Sequence, residues 1–247
     1  MTLQFELDKS IEQEENLSKV PVEREGTLDI SDSLKCHRMR YLKFYGHPGK
    51  TIQPSGLRRF LMGRVVEKVL ISYWRFRGVI VRKSQYLKHY IDGRIRGKTD
   101  FTIIRDGKNY LAELKSYDGW GYYRRKKDQA NISKNHEAQA LNYVDILLNQ
   151  KENIEDRAII VEGSRDNLDI LETFTRTIGE VVQELHDDWT TLIVAIDAKK
   201  IPDVLIDFPK AKECSWCMRK EICTKLYEEE NPKQKKPTHT KGANNTE

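Results

Sequence analysis

The sequence lacks most of the features that would assign it to a membrane, secreted or repeat class. No stretch of its 247 residues approaches the ~18 consecutive apolar residues of a membrane span. The opening MTLQFELDKSIEQEENLSK has neither the basic start nor the apolar run of a secretory signal. A cytoplasmic protein without membrane attachment is therefore expected. No internal repeat and no Gly/Ser linker divides the chain. The G-x4-G-K-[ST] phosphate loop is absent, so ATP-driven unwinding has no visible motor. Cysteine is scarce at four residues, and a reducing compartment disfavours pairing them as structural disulfides.

What is present is enough for a core. Apolar residues make up 38%, and the 14 glycines bring the share to roughly 44%, just under the usual ~45–50%. Charged residues are abundant at 33%. The net +5 combines −4 over residues 1–26, +1 over 229–247 and +8 over the body between. A basic body suits a polyanion, nucleic acid before membrane; an ordinary basic surface is the plainer explanation. Three regions follow: an acidic arm (1–26), one domain (27–228) and a polar, aromatic-free tail (229–247) unable to bury enough surface to order itself.

Patterning predicts a helix from Ser31 or Ser33 to Gly46, and a second after Pro54-Ser55 to about Phe76, closed by Gly78. Strands are expected over Val79 to Tyr86, Gly93 to Ile104 and Asn109 to Ser116, the last two joined by an Asp106-Gly107 turn. A helix from Ile132 to Leu148, strands at Arg157–Val161 and 168–174, and a helix from Ile178 to Ala198 complete a small mixed sheet flanked by helices, an α/β architecture.

The central hairpin carries the chemistry. Glu113 and Lys115 are two apart and project from one face of a strand. Asp100, thirteen residues before Glu113, can be brought alongside across the turn. Two carboxylates beside an ammonium group suit Mg²⁺ or Mn²⁺ and phosphodiester cleavage, the lysine orienting water or stabilising developing charge. The bland alternative is a cross-strand ion pair on an exposed hairpin. On the helix before it, Glu67 shares an apolar stripe with Phe60, Gly63 and Trp74, which marks it as a third ligand or a marginal-face acid. Gln139 and Tyr143 share a helical face, where an amide and a phenol can support a phosphate or a base. Trp120, Tyr122 and Tyr123 precede Arg124, Arg125, Lys126 and Lys127; rings stack on bases and cations track phosphates, unless the run is a solvated basic loop.

Cys214, Cys217 and Cys223 read C-x2-C-x5-C, and Cys36 stands far upstream. Four soft thiolates suit a structural zinc ion or an iron–sulfur cluster.

The order of these motifs resembles a known family. A lone cysteine, Gly63-x3-Glu67, Gly97-x2-Asp100, Glu113-x-Lys115, Gln139-x3-Tyr143 and the terminal cysteine trio resemble RecB-like nucleases of the PD-(D/E)XK superfamily. The single-domain size resembles the CRISPR-associated branch (the fourth Cas protein family) and its phage-borne relatives. The resemblance implies a PD-(D/E)XK core whose N- and C-terminal parts are joined by a four-cysteine [4Fe–4S] cluster on Cys36, Cys214, Cys217 and Cys223. It implies Mg²⁺- or Mn²⁺-dependent cleavage of single-stranded DNA ends, commonly from the 5′ side. Asp100, Glu113 and the Leu114 carbonyl would ligate metal, Lys115 would be catalytic, and Gln139 and Tyr143 would support substrate. Glu67 replaces a histidine found in many relatives, which leaves the third ligand open. Partners would be DNA and an integrase or phage recombination machinery, and an oligomer is compatible. A non-catalytic end-binding adaptor is the alternative from another class.

Overall fold

The computed structural model describes residues 25–127 and 131–232; most of the expected arm and tail lies outside them. The helices are α1 (His37–Phe44), α2 (Pro54–Phe76), α3 (Gly119–Lys127), α4 (Lys134–Asn149), α5 (Ile178–Asp197) and α6 (Lys220–Glu230). The strands are β1 (Leu28–Asp29), β2 (Ile80–Lys83), β3 (Tyr86–Lys88), β4 (Ile95–Lys98), β5 (Phe101–Arg105), β6 (Lys108–Tyr117), β7 (Ala158–Ser164) and β8 (Ile170–Phe174).

Five strands form the central sheet in the order β2-β5-β6-β7-β8, and β1-β4-β3 form a small second sheet. The β6–β7 pair is parallel, whereas β2–β5, β5–β6 and β7–β8 are antiparallel. Alternation along β6 sorts the two faces. Leu111 packs with α4 and α5, around Tyr143, Leu147, Trp189 and Leu192. Ala112 and Leu114 pack with Val66 and Leu70 of α2. The fold is thus a mixed sheet between helices, the layered α/β architecture expected from the sequence pattern.

Local signals explain the well-placed elements. Pro54 occupies the first turn of α2, where its missing N–H costs nothing. At the other end Gly78 takes φ +68°. The Val79 N–H then bonds the Trp74 carbonyl at 2.9 Å and the Gly78 N–H the Arg75 carbonyl at 3.0 Å. Those two bonds make a Schellman stop. Asp106 and Gly107 both have positive φ, +50° and +77°, as a two-residue primed hairpin turn requires. Thr177 and Glu180 form a capping box on α5, which buries Val181, Leu185, Trp189, Leu192 and Ile196.

Two expectations are corrected. The first helix begins only at His37, because residues 30–32 form a 3-10 turn and Leu34 is left-handed at φ +56°. The expected strand from Gly93 to Ile104 breaks at Thr99-Asp100, so β4 and β5 belong to different sheets. The same division separates β2 from β3. Thr99 holds the corner: its N–H bonds the Gln85 carbonyl and its Oγ1 accepts the Gln85 N–H, each at 3.0 Å. The aromatic-basic run forms a helix, α3.

Candidate active site

The break before β5 places Asp100 at the corner between the two sheets. From there its Oδ2 accepts the Leu114 N–H across the hairpin at 2.7 Å. One residue back along β6, Glu113 is 2% exposed. Its Oε1 accepts hydrogen bonds from Lys115 Nζ and Gln139 Nε2, both at 2.7 Å. Lys115 Nζ also donates to Gln139 Oε1 at 3.0 Å, closing a three-residue ring of contacts. Glu113 Oε2 is buried without a hydrogen-bond partner. A carboxylate pinned by one oxygen and orphaned at the other leaves a lone pair for a cation.

Burial pushes the Asp100 carboxyl well up from its ordinary pKa, and the neighbouring charges of Glu113 and Glu67 push it further. Burial also raises Glu113, over the opposing pull of Lys115, with Glu67 adding to the rise. The three acids from α2, the corner and β6 therefore share one electrostatic field. Their repulsion is the condition a divalent ion relieves. Helix α2 reaches this point through Gly63: a Cβ there would lie 3.1 Å from Ser116 Oγ on β6.

Helix α4 supplies the opposite wall. Gln139 orients Glu113 and Lys115, as described. Tyr143 is fully buried, and its hydroxyl accepts the Lys98 N–H at 3.1 Å. Through this bond the ring braces β4 just ahead of Asp100. A Cβ at Gly97 would collide with that ring, which explains why glycine stands two residues before Thr99. His136, one turn before Gln139, was not singled out by the sequence. Burial lowers its pKa to about 4, with Lys115 and Arg125 adding to the effect, so it faces the site as a neutral imidazole at pH 7.

On α3 the aromatic and basic residues divide. Trp120 and Tyr123 are exposed and stacked, with ring centroids 6.3 Å apart. Arg124 lies over the Trp120 ring at 5.8 Å and Lys127 over the Tyr123 ring at 4.9 Å. Tyr122 is buried and has no face to offer a base. The Arg125 guanidinium grips the fully buried Glu162 through Nε at 2.7 Å and Nη2 at 3.2 Å. It anchors the helix to β7, and its charge is committed there.

Cys36 caps the start of α1, while Cys214, Cys217 and Cys223 come from the C-terminal 3-10 turn, the loop after it and α6. All four line one cavity of about 430 Å³. A tetrahedral zinc at ~2.3 Å from each sulfur would hold the sulfurs only about 3.8 Å apart. Among the described residues, however, the one His/Cys/Asp/Glu group with ligand atoms all within 4.8 Å is His89, Asp145 and His186. Neither the thiols nor the Asp100, Glu113 and Glu67 carboxylates are gathered that closely as a group of three. Burial raises Cys223 to about 11 and also raises Cys214. The buried Arg38 side chain works against the rise at Cys223, as a cation favours thiolate.

No protein-family model matches the chain, and no curated protein is detectably similar in sequence. Solved structures do share the fold. The crystal structure of SSO0001 superimposes with a TM-score of 0.52 at 19% identity, covering 90% of this chain and 96% of that one. An alkaline exonuclease (LHK-Exo) from Laribacter hongkongensis gives a TM-score of 0.54 at 13% identity, covering 71% and 90%. Its complex with dAMP gives 0.52 at 13%, covering 70% and 89%. No described helix is long and apolar enough to cross a membrane.

Proposed function

We propose that this chain is a metal-dependent deoxyribonuclease acting on single-stranded DNA ends, 5′ to 3′, and carrying a structural [4Fe–4S] cluster. The observation that carries the reading is the orphaned Oε2 of Glu113, buried beside Asp100 and Glu67 and locked by Lys115 and Gln139. The shared fold with an alkaline exonuclease supports it.

Asp100, Glu113 and Glu67 offer hard oxygens, and the Leu114 carbonyl can join them. A bound Mg²⁺ or Mn²⁺ supplies phosphate polarisation and a water of lowered pKa. Lys115 commits two of its three N–H donors to Glu113 and Gln139. Its third can donate to a phosphate oxygen or to the attacking water, on a side chain 21% exposed. Gln139 keeps that ammonium group in place. Trp120 and Tyr123 provide a stacking platform for unpaired bases, with Arg124 and Lys127 beside them for phosphates. The four cysteines fit a cluster by number, softness and their shared cavity, and the buried Arg38 suits an anionic occupant.

The test is a time course on 5′- and 3′-labelled single strands with Mg²⁺, Mn²⁺ or EDTA. EDTA abolishes cleavage, and Lys115→Ala lowers it about 10²–10³-fold while binding persists. Unchanged cleavage in EDTA or in Lys115→Ala overturns the assignment. Binding without cleavage by the unmodified protein identifies an adaptor. A brown, iron-containing protein purified anaerobically supports the cluster, and a colourless zinc protein overturns it.

A further inference from the structure

Away from the carboxylate pocket, three side chains distant in sequence meet at one point. His89 follows β3, Asp145 lies on α4, and His186 lies on α5. His186 Nε2 is 2.8 Å from Asp145 Oδ2, and His89 Nε2 is 3.6 Å from the same oxygen. Ligands at about 2.0–2.2 Å from a tetrahedral zinc stand about 3.3 Å from one another, so these spacings bracket the required value. The Tyr90 hydroxyl joins them, 2.8 Å from Asp145 Oδ2 and 3.0 Å from His186 Nε2. The two imidazole rings are almost perpendicular, at 83°.

His89 gives the second, independent observation. It is 2% exposed, and its Nε2 is buried with no hydrogen-bond partner. Burial holds this ring neutral at pH 7. Its Nδ1 accepts the Ile91 N–H at 3.2 Å, which fixes the proton on Nε2. Ligation through Nε2 moves that proton to Nδ1, so binding requires the Ile91 N–H to turn away from the ring.

We propose that His89, Asp145 and His186 form a second metal site, for a zinc-class transition ion. Two imidazoles and one carboxylate select such an ion over Mg²⁺, which prefers all-oxygen ligands. The site is structural in role. It ties the β3–β4 connection to α4 and α5. The same β4 runs on through the Thr99 corner to Asp100, and the same α4 carries Gln139 and Tyr143. An ion here braces both walls of the carboxylate pocket without touching substrate.

The test reads bound metal, so it stands whether or not the chain proves to be a nuclease. Full-length protein, His186→Ala and Asp145→Asn are dialysed against Zn²⁺ and analysed for metal per chain, with folding followed by circular dichroism. Both variants bind one equivalent fewer than the parent, and the Zn²⁺-induced rise in Tm shrinks in both. Comparison with the parent cancels zinc taken up by the cysteines or the carboxylate pocket. Co²⁺ difference spectra, parent minus variant, show ligand-field bands without sulfur charge transfer. Equal metal content in the parent and either folded variant overturns the site.

Discussion

In the carboxylate pocket the donors lie on a helix, a strand and the corner between two sheets, and hydrogen bonds already hold Glu113 and Asp100; in the thiol cavity they arrive from opposite ends of the chain on a helix cap, a 3-10 turn, a loop and a helix. Glu113 has one oxygen held by two donors before any ligand is considered. Cys36 and Cys214 are 178 residues apart and share a cavity but no bond. The first site stores electrostatic repulsion inside a rigid sheet, so losing its ligand leaves the fold standing. The second is a space between the chain ends, so an ion or cluster held there would help keep those ends together.

That contrast predicts graded effects. The largest follows from Cys214→Ser combined with Cys223→Ser. Metal or cluster binding is lost, and limited proteolysis cuts within 202–232 while the central sheet resists. Equal protection in the double variant would erase the distinction between the two sites. Next, Arg125→Ala leaves the buried Glu162 carboxylate uncompensated and costs about 3–5 kcal/mol in denaturant unfolding. Arg124→Glu leaves stability nearly unchanged, weakens single-strand binding and lowers its salt slope by about one.

One further effect on stability has an unusual sign. Asp100 has its pKa raised by burial and by Glu113. Above the unfolded carboxylate value near ~4, the native state therefore holds more protons than the unfolded one, and stability falls as pH rises toward the elevated native pKa. Asp100→Asn removes that penalty. The metal-free variant melts higher than the parent at pH 8, while the Mn²⁺-induced increase in Tm disappears. A lower Tm for the variant would show that the pocket is held together by the charge rather than strained by it.

Much of the pocket was legible because its residues are linked by short spacings. Glu113 and Lys115 share a strand face by a period of two, and the Asp106-Gly107 turn sets the register that brings Leu114 opposite the Asp100 corner. The corner itself was hidden. Val79–Tyr86 and Gly93–Ile104 each look like one strand, and only tertiary pairing of Thr99 with Gln85 divides them. The Tyr143 phenol was read from its helical face, and its close approach to Gly97 is a tertiary contact that this face does not show. Arg125 was indistinguishable from Arg124 by composition; the buried Glu162 that claims it lies 37 residues on. His89, Asp145 and His186 have no periodic relation at all, so no window along the chain could have joined them.

The junction of the chain ends has a mechanical consequence. Beside the cysteines, Arg38 pairs with Glu230 at 3.1 Å, Lys50 N–H bonds the Met218 carbonyl at 2.7 Å, and Arg219 Nε bonds the His47 carbonyl at 3.0 Å. Tension applied to the two termini crosses this seam directly and bypasses the strands between. The central sheet behaves as a slack loop behind a buckle, shielded from pulling until the buckle opens.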